Sequence, residues 1–401
     1  QASASGMLLT QHGPRSPLAH EETTVEAQAY HMMKALDETR AAIEQDTVSS
    51  LAYRDSLSSP RMVEHLRRHQ QLMTEQVGLL ASHVDATRVF ECYSASSLGD
   101  PLVEEWERFM THEYMAPKAV QSVMIFLPCS ARKPYRLSKS HTQFLQSINS
   151  TGCHEVMMTS PLGLVPRDLE DVWPAANYDV PVTGDWSEDE TQRVRRMLTA
   201  LVQRTGYRRI INHTNMDLSF LEVEVVDTRQ GQNATQHEAL QRLRQAVQDA
   251  MKTYDLRNQK NSHRLLEHYR SIARKTMLND DWCHELTVKG KLPRWRLERE
   301  GVQMAVWSIE RNGFSFSKAA IDLLSQHKAL REVHIYEDVK WKGDVFFQHI
   351  ERADAAIKMG DDLAVFQGGQ CIGLARALAP GWEWAGTPGA LAKSHQRKKT
   401  Q

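Results

Sequence analysis

Closely spaced cysteines are absent from this sequence. The five cysteines are an odd number and no two form a C-x-x-C pair; they are Cys92, Cys129, Cys153, Cys283 and Cys371. An odd, scattered set argues against a disulfide framework, and the missing pairs argue against a zinc ribbon. We therefore expect free thiols and no bound metal.

Long hydrophobic runs and an excess of charge of one sign are also lacking. No apolar run approaches the roughly 20 residues that a membrane helix requires, and no signal peptide is visible. We therefore expect a cytoplasmic protein that does not enter a membrane. Lys and Arg number 49 against 50 Asp and Glu. Any nucleic-acid surface must therefore come from a local asymmetry of charge.

Two further absences concern cofactors and the start of the chain. Gly231 and its neighbours form no glycine-rich phosphate loop, so the sequence gives no sign of a nucleotide cofactor. The chain opens with Gln1 rather than Met, which leaves open that it is a fragment of a longer protein. Its 401 residues are enough for roughly two to four domains.

Side chains of types that can act in catalysis are concentrated in one segment, residues 127–141. Residues 122–127, SVMIFL, predict a strand that is covered on both faces, and polar residues follow it directly. Open α/β sheets bind their ligands beyond such strand ends. The segment therefore predicts the active site. Its candidate residues are Cys129, Ser130, Lys133, Tyr135, Ser138 and His141.

A purely structural interpretation of the same segment competes with this one. Pro128 and Pro134 would end a strand and start a helix, Ser138 would be the N-cap, and Cys129 would be a small buried side chain. For any single residue that interpretation is the better one. For the whole segment it is not, because a plain turn would use Gly, Asn or Asp instead of these groups.

Strands alternate with helices around this segment, between residues 87 and 256. Strands are expected at 154–159, 209–212 and 221–226, and helices at 138–149 and 236–252. Asp100 and Pro101 predict the start of another helix, and Ser187 and Glu190 form a capping box for one that ends at Gly206. This alternation predicts an α/β core with a mostly parallel sheet.

Residues 257–299 carry more basic than acidic side chains, with 11 Lys and Arg against 5 Asp and Glu. Trp282, Trp295 and Trp307 lie in or just after this stretch. One interpretation is an RNA contact through base stacking and phosphates. The other is a solvated helical linker with buried tryptophans. The sequence leaves both open.

Two motifs of the core resemble a known family. The pattern PCSxxKPYxxSxxH at residues 128–141 resembles the signature of archaeosine synthase alpha subunits, which are related to archaeal tRNA-guanine transglycosylase and modify a 7-deazaguanine base in the tRNA D-loop. Downstream, residues 159–166 (TSPLGLVP) and 178–184 (YDVPVTG) are similar to the same family's core domain. Two long motifs in the same order make the resemblance specific.

The last stretch, residues 337–401, resembles a PUA domain, a small β-barrel that binds structured RNA. The matching residues include Ala353-Asp354, Gly360-Asp361 and Gly373-x-Ala375-Arg376-Ala377, with a basic end after them. The resemblance implies RNA contacts by Arg376, Lys393, Arg397 and Lys398. By chain order, residues from about 285 to 331 resemble the connecting domain that precedes PUA in the transglycosylase family.

These patterns and resemblances together predict the domain organisation. An α/β core with a mostly parallel sheet (87–256) is preceded by a helical N-terminal segment (1–86). It is followed by a basic linker with a small α+β connecting domain (257–336) and by a PUA β-barrel (337–401). The N-terminal helices resemble the end of a transglycosylase barrel, but the strands and catalytic aspartates of that barrel have no counterpart.

The family resemblance implies a tRNA that carries 7-cyano-7-deazaguanine, with lysine as the amine co-substrate. A thiolate adds to a nitrile carbon, and an amine then displaces the sulfur to leave an amidine. We expect Cys129 to be the nucleophile, with its pKa lowered by Lys133 or by the helix N-terminus near Ser138. His141, about one turn into that helix, is the expected general base.

Further roles follow from the same resemblance. Ser130, Tyr135, Ser138 and Ser160 are expected to bind the base or its nitrile. Asp179 either holds the purine-like edge or the amine donor, or is simply a turn residue at a strand end. Besides tRNA, the implied partners are a radical SAM enzyme and a separate transglycosylase chain. Nothing in these residues selects lysine over glutamine or ammonia.

Two other functions stay open. Base exchange by a true transglycosylase is opposed by the missing barrel and by the lack of clustered zinc cysteines. In the other alternative the chain is a non-catalytic tRNA-binding subunit, and a partner carries out the chemistry.

Overall fold

The computed structural model describes residues 8–10, 13–15, 25–45, 47–80, 87, 89–92, 95–180, 186–291, 294–386 and 388–398. The contacts within the chain divide it into two units, residues 1–71 and 72–401. Among the helices formed by the described residues, none combines the length and the apolar composition that crossing a membrane requires.

Helices dominate the first unit. A short antiparallel hairpin of β1 (Leu8–Thr10) and β2 (Gly13–Arg15) is followed by α1 (Val25–Glu44), α2 (Val48–Ser56) and α3 (Pro60–Leu80), which continues past residue 71. In the sequence, apolar residues recurring at helical spacing between residues 24 and 45 predict α1, and Ser58-Ser59-Pro60 predicts the start of α3; no such signal predicts α2. The Ser-Pro start of α3 forms as expected, because the amide of Met62 donates to the hydroxyl of Ser59 at 3.3 Å.

The second unit begins with an α/β layer that contains the predicted active-site segment. Its elements are β3 (Phe90–Glu91), α4 (Pro101–His112), β4 (Val123–Pro128), α5 (Lys139–Ile148), β5 (His154–Thr159), β6 (Gly163–Pro166), β7 (Tyr178–Asp179), α6 (Glu188–Thr205), β8 (Arg209–Asn212), β9 (Glu224–Asp227) and α7 (His237–Thr253). Strand β9 thus starts three residues later than the sequence predicts.

Five of the described strands form one sheet in the order β6-β5-β4-β8-β9. The β5/β4, β4/β8 and β8/β9 pairs are parallel, and β6 joins the edge antiparallel to β5. Strand β4 has neighbours on both sides, and its residues 123–127 are buried throughout. The residues that follow Pro128 and Thr159 therefore meet at the same carboxyl edge of the sheet.

The helix ends of this layer match their sequence signals. Asp100 accepts a hydrogen bond from the amide of Leu102, and Ser187 and Glu190 form the expected capping box of α6. Helix α6 ends at Gly206, where the backbone turns left-handed with φ 73°. Glycine adopts that conformation without the steric cost that other residues meet.

A small α+β layer follows. Its elements are α8 (Asn261–Thr276), β10 (Thr287–Lys291), β11 (Arg294–Arg299), β12 (Val302–Ser308), β13 (Gly313–Phe316) and α9 (Ala320–Gln326). Strands β10 to β13 form an antiparallel sheet in chain order. Trp282 and Trp307 are buried and pack edge-on against Phe314, at 5.3 and 5.0 Å between ring centroids. The base-stacking interpretation is therefore wrong for these two tryptophans.

The C-terminal strands form a sheet of their own. They are β14 (Arg331–Ile335), β15 (Val345–Phe346), β16 (Ile350–Ala353), β17 (Asp362–Gln367), β18 (Gln370–Ala377) and β19 (Ala390–Arg397). Their order is β15-β19-β18-β17-β14-β16, and a separate apolar cluster lies within this layer. Strand β14 pairs with β17 and β16, so this sheet begins at Arg331, before the expected boundary at residue 337.

Candidate active site

Cys129 is a free, half-buried thiol in the loop directly after β4. The hydroxyl of Thr159, the last residue of the neighbouring strand β5, acts on this thiol and lowers its pKa. Lys133, four residues further along the loop, places its ammonium 4.0 Å from the centre of the Tyr178 ring. The carboxyl ends of β4, β5 and β7 therefore gather a thiol, a hydroxyl and an ammonium at one edge.

Burial is the largest influence on the Cys129 thiol. It raises the pKa of Cys129, while the charge of Lys133 and the hydrogen bond from Thr159 act in the opposite direction. The pKa of the Cys129 thiol is therefore raised and not lowered as expected.

Burial also shifts the pKa of Lys133, in the opposite direction. Burial lowers the pKa of its ammonium, and the charges of Cys129, Asp179 and Cys92 oppose that shift. Burial thus favours the neutral form of both the amine and the thiol, whereas their mutual attraction favours the ion pair.

Tyr135 lies beneath this edge and is fully buried. Its hydroxyl hydrogen-bonds to the hydroxyl of Tyr178, which in turn hydrogen-bonds to Thr159. Burial raises the pKa of both phenols, so both stay protonated. The expected direct contact of Tyr135 with substrate does not fit this position. Its hydroxyl instead fixes Tyr178 and Thr159, and Thr159 touches the thiol.

Ser138 and His141 also face inward. The Ser138 hydroxyl accepts a hydrogen bond from the amide of His141 at 3.1 Å, as an N-cap does. His141 is fully buried, its Nε2 lies 3.0 Å from the carbonyl oxygen of Pro128, and burial lowers the pKa of its imidazole to about 3. The expected roles of Ser138 in substrate binding and of His141 as a general base are corrected to structural ones.

The other expected substrate contacts lie nearer the surface. Ser130 is half-buried and donates to the carbonyl of Arg132 at 3.1 Å, while Ser160 donates to the carboxylate of Glu190. Asp179 is exposed, and its charge acts on Lys133. Of the sequence-predicted residues, the structure thus brings Cys129, Lys133 and Asp179 together.

Sequence analysis missed two residues of this edge, Thr159 and Tyr178. Both stand at or next to the end of a strand within the second family motif, which is the signal that could have identified them. In the part of the chain that the structure describes, no group of three or more His, Cys, Asp or Glu side chains is arranged to hold a metal ion.

Comparisons with known proteins find relatives that share the α/β layer. A family model, a domain of unknown function (DUF5591), matches residues 103–247. The archaeosine synthase subunit alpha of Thermoplasma acidophilum is 30% identical over 287 residues, which cover 70% of this chain and 54% of that protein. The archaeosine synthase of Haloferax volcanii is 38% identical over 160 residues, which cover 38% of this chain and 27% of that protein.

The chain is similar to curated archaeosine synthases over about 70% of its own length. It spans about half the length of these curated relatives that it matches. A crystal structure of a protein of unknown function has the same fold, with a TM-score of 0.52 and 22% identity, covering 69% of this chain and 94% of that protein. The Cys129 loop lies inside the stretch that the family model matches.

The C-terminal basic residues of this archaeosine synthase relative do not form one cluster. Arg376 is held by both carboxylate oxygens of Asp362, at 3.0 and 3.2 Å, and Lys398 forms an ion pair with Asp322. Lys393 and Arg397 are exposed on β19. Of the four expected RNA contacts, Lys393 and Arg397 therefore offer the more available charges.

A groove of about 360 Å³ lies between β13 and strands β18 and β19. We call it the β13–β19 groove; its lining includes Arg311, Arg376, Lys393 and His395. Sequence analysis missed Arg311, which comes from the connecting layer and reaches this groove only in the folded chain. Arg397 and Lys398 do not line it.

Proposed function

We propose that the chain is a tRNA-modifying enzyme of archaeosine biosynthesis that adds an amine, lysine, to the nitrile of 7-cyano-7-deazaguanine in the tRNA D-loop. The observation that carries the proposal is the half-buried thiol of Cys129 beside Lys133 at the carboxyl edge of the sheet. The curated relatives named archaeosine synthase support the pathway. Cys129 and Lys133 supply the nucleophile and the proton carrier of the proposed reaction.

In the first step the thiol of Cys129 transfers its proton to the neutral amine of Lys133. The resulting thiolate attacks the nitrile carbon and forms a carbon–sulfur bond, and the Lys133 ammonium gives that proton to the nitrile nitrogen. The product is a covalent thioimidate. Burial raises the pKa of Cys129 and lowers that of Lys133, which favours a neutral Lys133 amine that can accept the thiol proton.

In the second step the amine of lysine attacks the thioimidate carbon. The carbon–sulfur bond breaks, the amine loses a proton, and the sulfur regains one through Lys133, so that an amidine and the free thiol result. Thr159 donates to the leaving sulfur and stabilises its negative charge. Asp179 and Ser130 lie on the accessible side of the loop and are the proposed contacts for the base or the amine.

The β13–β19 groove and the exposed side chains of β19 are the proposed tRNA contact, and residues 331–398 are the proposed PUA-type domain. The sequence motifs around Asp354, Asp361 and Arg376 support that assignment. Some relatives carry the words subunit alpha in their names. We accordingly propose that this chain works in the cytoplasm with a radical SAM enzyme, and with a separate transglycosylase chain.

The decisive experiment combines the full chain with tRNA that carries the nitrile base and with lysine, followed by mass spectrometry of the nucleosides. A gain of one lysine supports the proposal, and an exchanged base supports a transglycosylase. Tight tRNA binding without any change supports a non-catalytic subunit. Cys129→Ala and Cys129→Ser should abolish the gain and any trapped tRNA adduct. Cys371→Ala, another free thiol far along the chain, is the matched control. Full activity of either Cys129 variant would exclude the thiol from the reaction.

A further inference from the structure

The ammonium of Lys133 lies over the face of an aromatic ring, with its nitrogen 4.0 Å from the centre of the Tyr178 ring. Within the described part of the chain, no side chain forms an ion pair with this ammonium or accepts a hydrogen bond from it. Cations are attracted to the electron-rich face of an aromatic ring when they lie within about 6 Å of its centre. The ring of Tyr178 is therefore the contact that holds the charge of Lys133 in place.

Tyr178 is itself fixed by its surroundings. It belongs to β7, which pairs with β3, and only 2% of it is exposed. Its hydroxyl hydrogen-bonds to the hydroxyls of Tyr135 and Thr159, which come from the turn after Lys133 and from the end of β5. Since burial raises the pKa of this phenol, the ring stays neutral. The position of the ring thus depends on two hydrogen bonds that do not involve Lys133.

The charges around Lys133 do not define one place for its nitrogen. Burial lowers the pKa of this amine, and the charges of Cys129, Asp179 and Cys92 oppose that shift. Asp179 is exposed, and its carboxylate accepts a hydrogen bond from the amide of Val180 at 3.0 Å. The ring face adds a short-range attraction that acts only where the ammonium lies over it. It therefore favours both one position and the charged form of Lys133.

We propose that Tyr178 is a positioning residue for the reaction at Cys129, because its ring face holds the ammonium of Lys133 beside the thiol. The inference rests on the proposed function, since it assigns a role within the same pair of groups. When the thiol gives its proton to Lys133, the ring stabilises the ammonium that forms, and the thiolate is favoured. In this proposal Tyr178 touches neither the nitrile nor the incoming amine.

The first test measures the reactivity of Cys129 in variants of position 178, without tRNA or lysine. Tyr178→Phe keeps the ring face, whereas Tyr178→Leu removes it. Alkylation by iodoacetamide at a series of pH values, followed by peptide mass spectrometry, should be slower by about fivefold or more in Tyr178→Leu and by less than about twofold in Tyr178→Phe. The apparent pKa of the thiol should rise in Tyr178→Leu.

A second set of variants preserves the shape of the ring, in case Tyr178→Leu does not fold. Phenylalanines that carry one, two or three ring fluorines at position 178 fit the same space, but each fluorine makes the ring face less negative. The rate of Cys129 alkylation should fall stepwise along this series. A role of the ring in packing alone would leave the rate constant.

A double-mutant cycle with Lys133→Met separates positioning from a general loss of structure. That background has no ammonium to hold, so Tyr178→Leu and the fluorinated rings should cause no further change in the rate of alkylation. Tyr254→Leu is the matched control. It removes a ring that also carries a cation, Arg208 at 4.2 Å, beside the start of β8 and thus at the edge of the sheet opposite Cys129. Its rate should be unchanged.

Melting temperatures of all variants establish that they are folded. The proposal is overturned if the fluorine series reacts at a constant rate, or if Tyr178→Leu slows alkylation equally with and without Lys133. With nitrile-bearing tRNA and lysine, kcat should fall in Tyr178→Leu while KM for tRNA stays unchanged. A chain that forms no amidine but shows the stepwise loss of alkylation would overturn the proposed function and still support this role of Tyr178.

Discussion

Arg167 donates a hydrogen bond from Nη2 to Nδ1 of His141, with 3.1 Å between the two nitrogens. The acceptor role of Nδ1 means that the proton of this imidazole is on Nε2, which donates to the carbonyl of Pro128 at 3.0 Å. Pro128 directly precedes Cys129. The guanidinium of Arg167 thus stabilises the neutral ring that supports the Cys129 loop.

Replacing Arg167 should be strongly destabilising. In Arg167→Met the buried carboxylate of Glu155 loses its partner and Glu170 keeps only Arg136, and removing one member of a buried ion pair costs about 3–5 kcal/mol. Urea unfolding followed by circular dichroism gives the change in free energy of unfolding. Arg196→Met is the control, because Arg196 is exposed and its pair with Glu107 should contribute less than about 1 kcal/mol. Equal losses in the two variants would contradict the assignment.

His141 should make the stability of the chain depend on pH. Its pKa is lowered to about 3 in the folded chain, against roughly 6.5 when unfolded. Between these values only the unfolded state binds the proton, so the free energy of unfolding should fall as the pH drops from about 6.5 towards 3, by up to about 1.4 kcal/mol per pH unit. His213, with a pKa lowered to about 4, acts in the same direction.

The share of His141 in this slope can be isolated with His141→Gln, which keeps a side-chain donor near Pro128. Chemical unfolding at pH values from 7 to 4 should show a slope that is smaller by up to about one proton than that of the unmodified chain. An unchanged slope would mean that the imidazole is not held neutral by its surroundings.

Lys133 should control the reactivity of Cys129. Its positive charge opposes the rise in the thiol pKa that burial causes, so Lys133→Met should raise that pKa further. Alkylation by iodoacetamide, followed by peptide mass spectrometry of Cys129, should slow by about tenfold near pH 8. Lys139→Met, in which an exposed lysine of α5 is lost, should leave the rate unchanged. A faster reaction in Lys133→Met would contradict the electrostatic argument.

The β13–β19 groove should bind tRNA through phosphates. Arg311→Gln and Lys393→Gln should weaken tRNA binding and each reduce the slope of log affinity against log salt by about 0.7–0.9. Lys398→Gln should change it less, because Lys398 is already paired with Asp322. Filter binding at several salt concentrations measures these slopes. Equal slopes in all three variants would place the RNA elsewhere.

Local signals explain how much of the fold the sequence predicts. Strand β4, the caps at Asp100, Ser138 and Ser187, and the stop at Gly206 depend on residues next to one another, so pattern reading finds them. Helix α2 and the true start of the C-terminal sheet depend on tertiary packing. The pairing of β14 with β17 joins residues about 30 positions apart and leaves no short-range mark.

The candidate site was likewise predictable only where its residues are close in sequence. Motif and position were sufficient to bring Cys129 and Lys133 to one edge. They were not sufficient for His141, whose inward orientation depends on Arg167, 26 residues away. The direction of the thiol pKa was also not predictable, because the burial of Cys129 outweighs a cation that the sequence does show. Only the folded chain therefore shows which residues of one motif face the candidate site and which are buried in the structure around it.

The position of β14 inside the C-terminal sheet has a practical consequence for dissecting the molecule. A fragment cut at Glu337 would lose the strand that separates β16 from β17, and the backbone amides and carbonyls along β17 would face water. Such open edges recruit strands from other molecules. Fragments intended to isolate the C-terminal sheet should therefore begin before Arg331, or they will self-associate and mimic a loss of affinity.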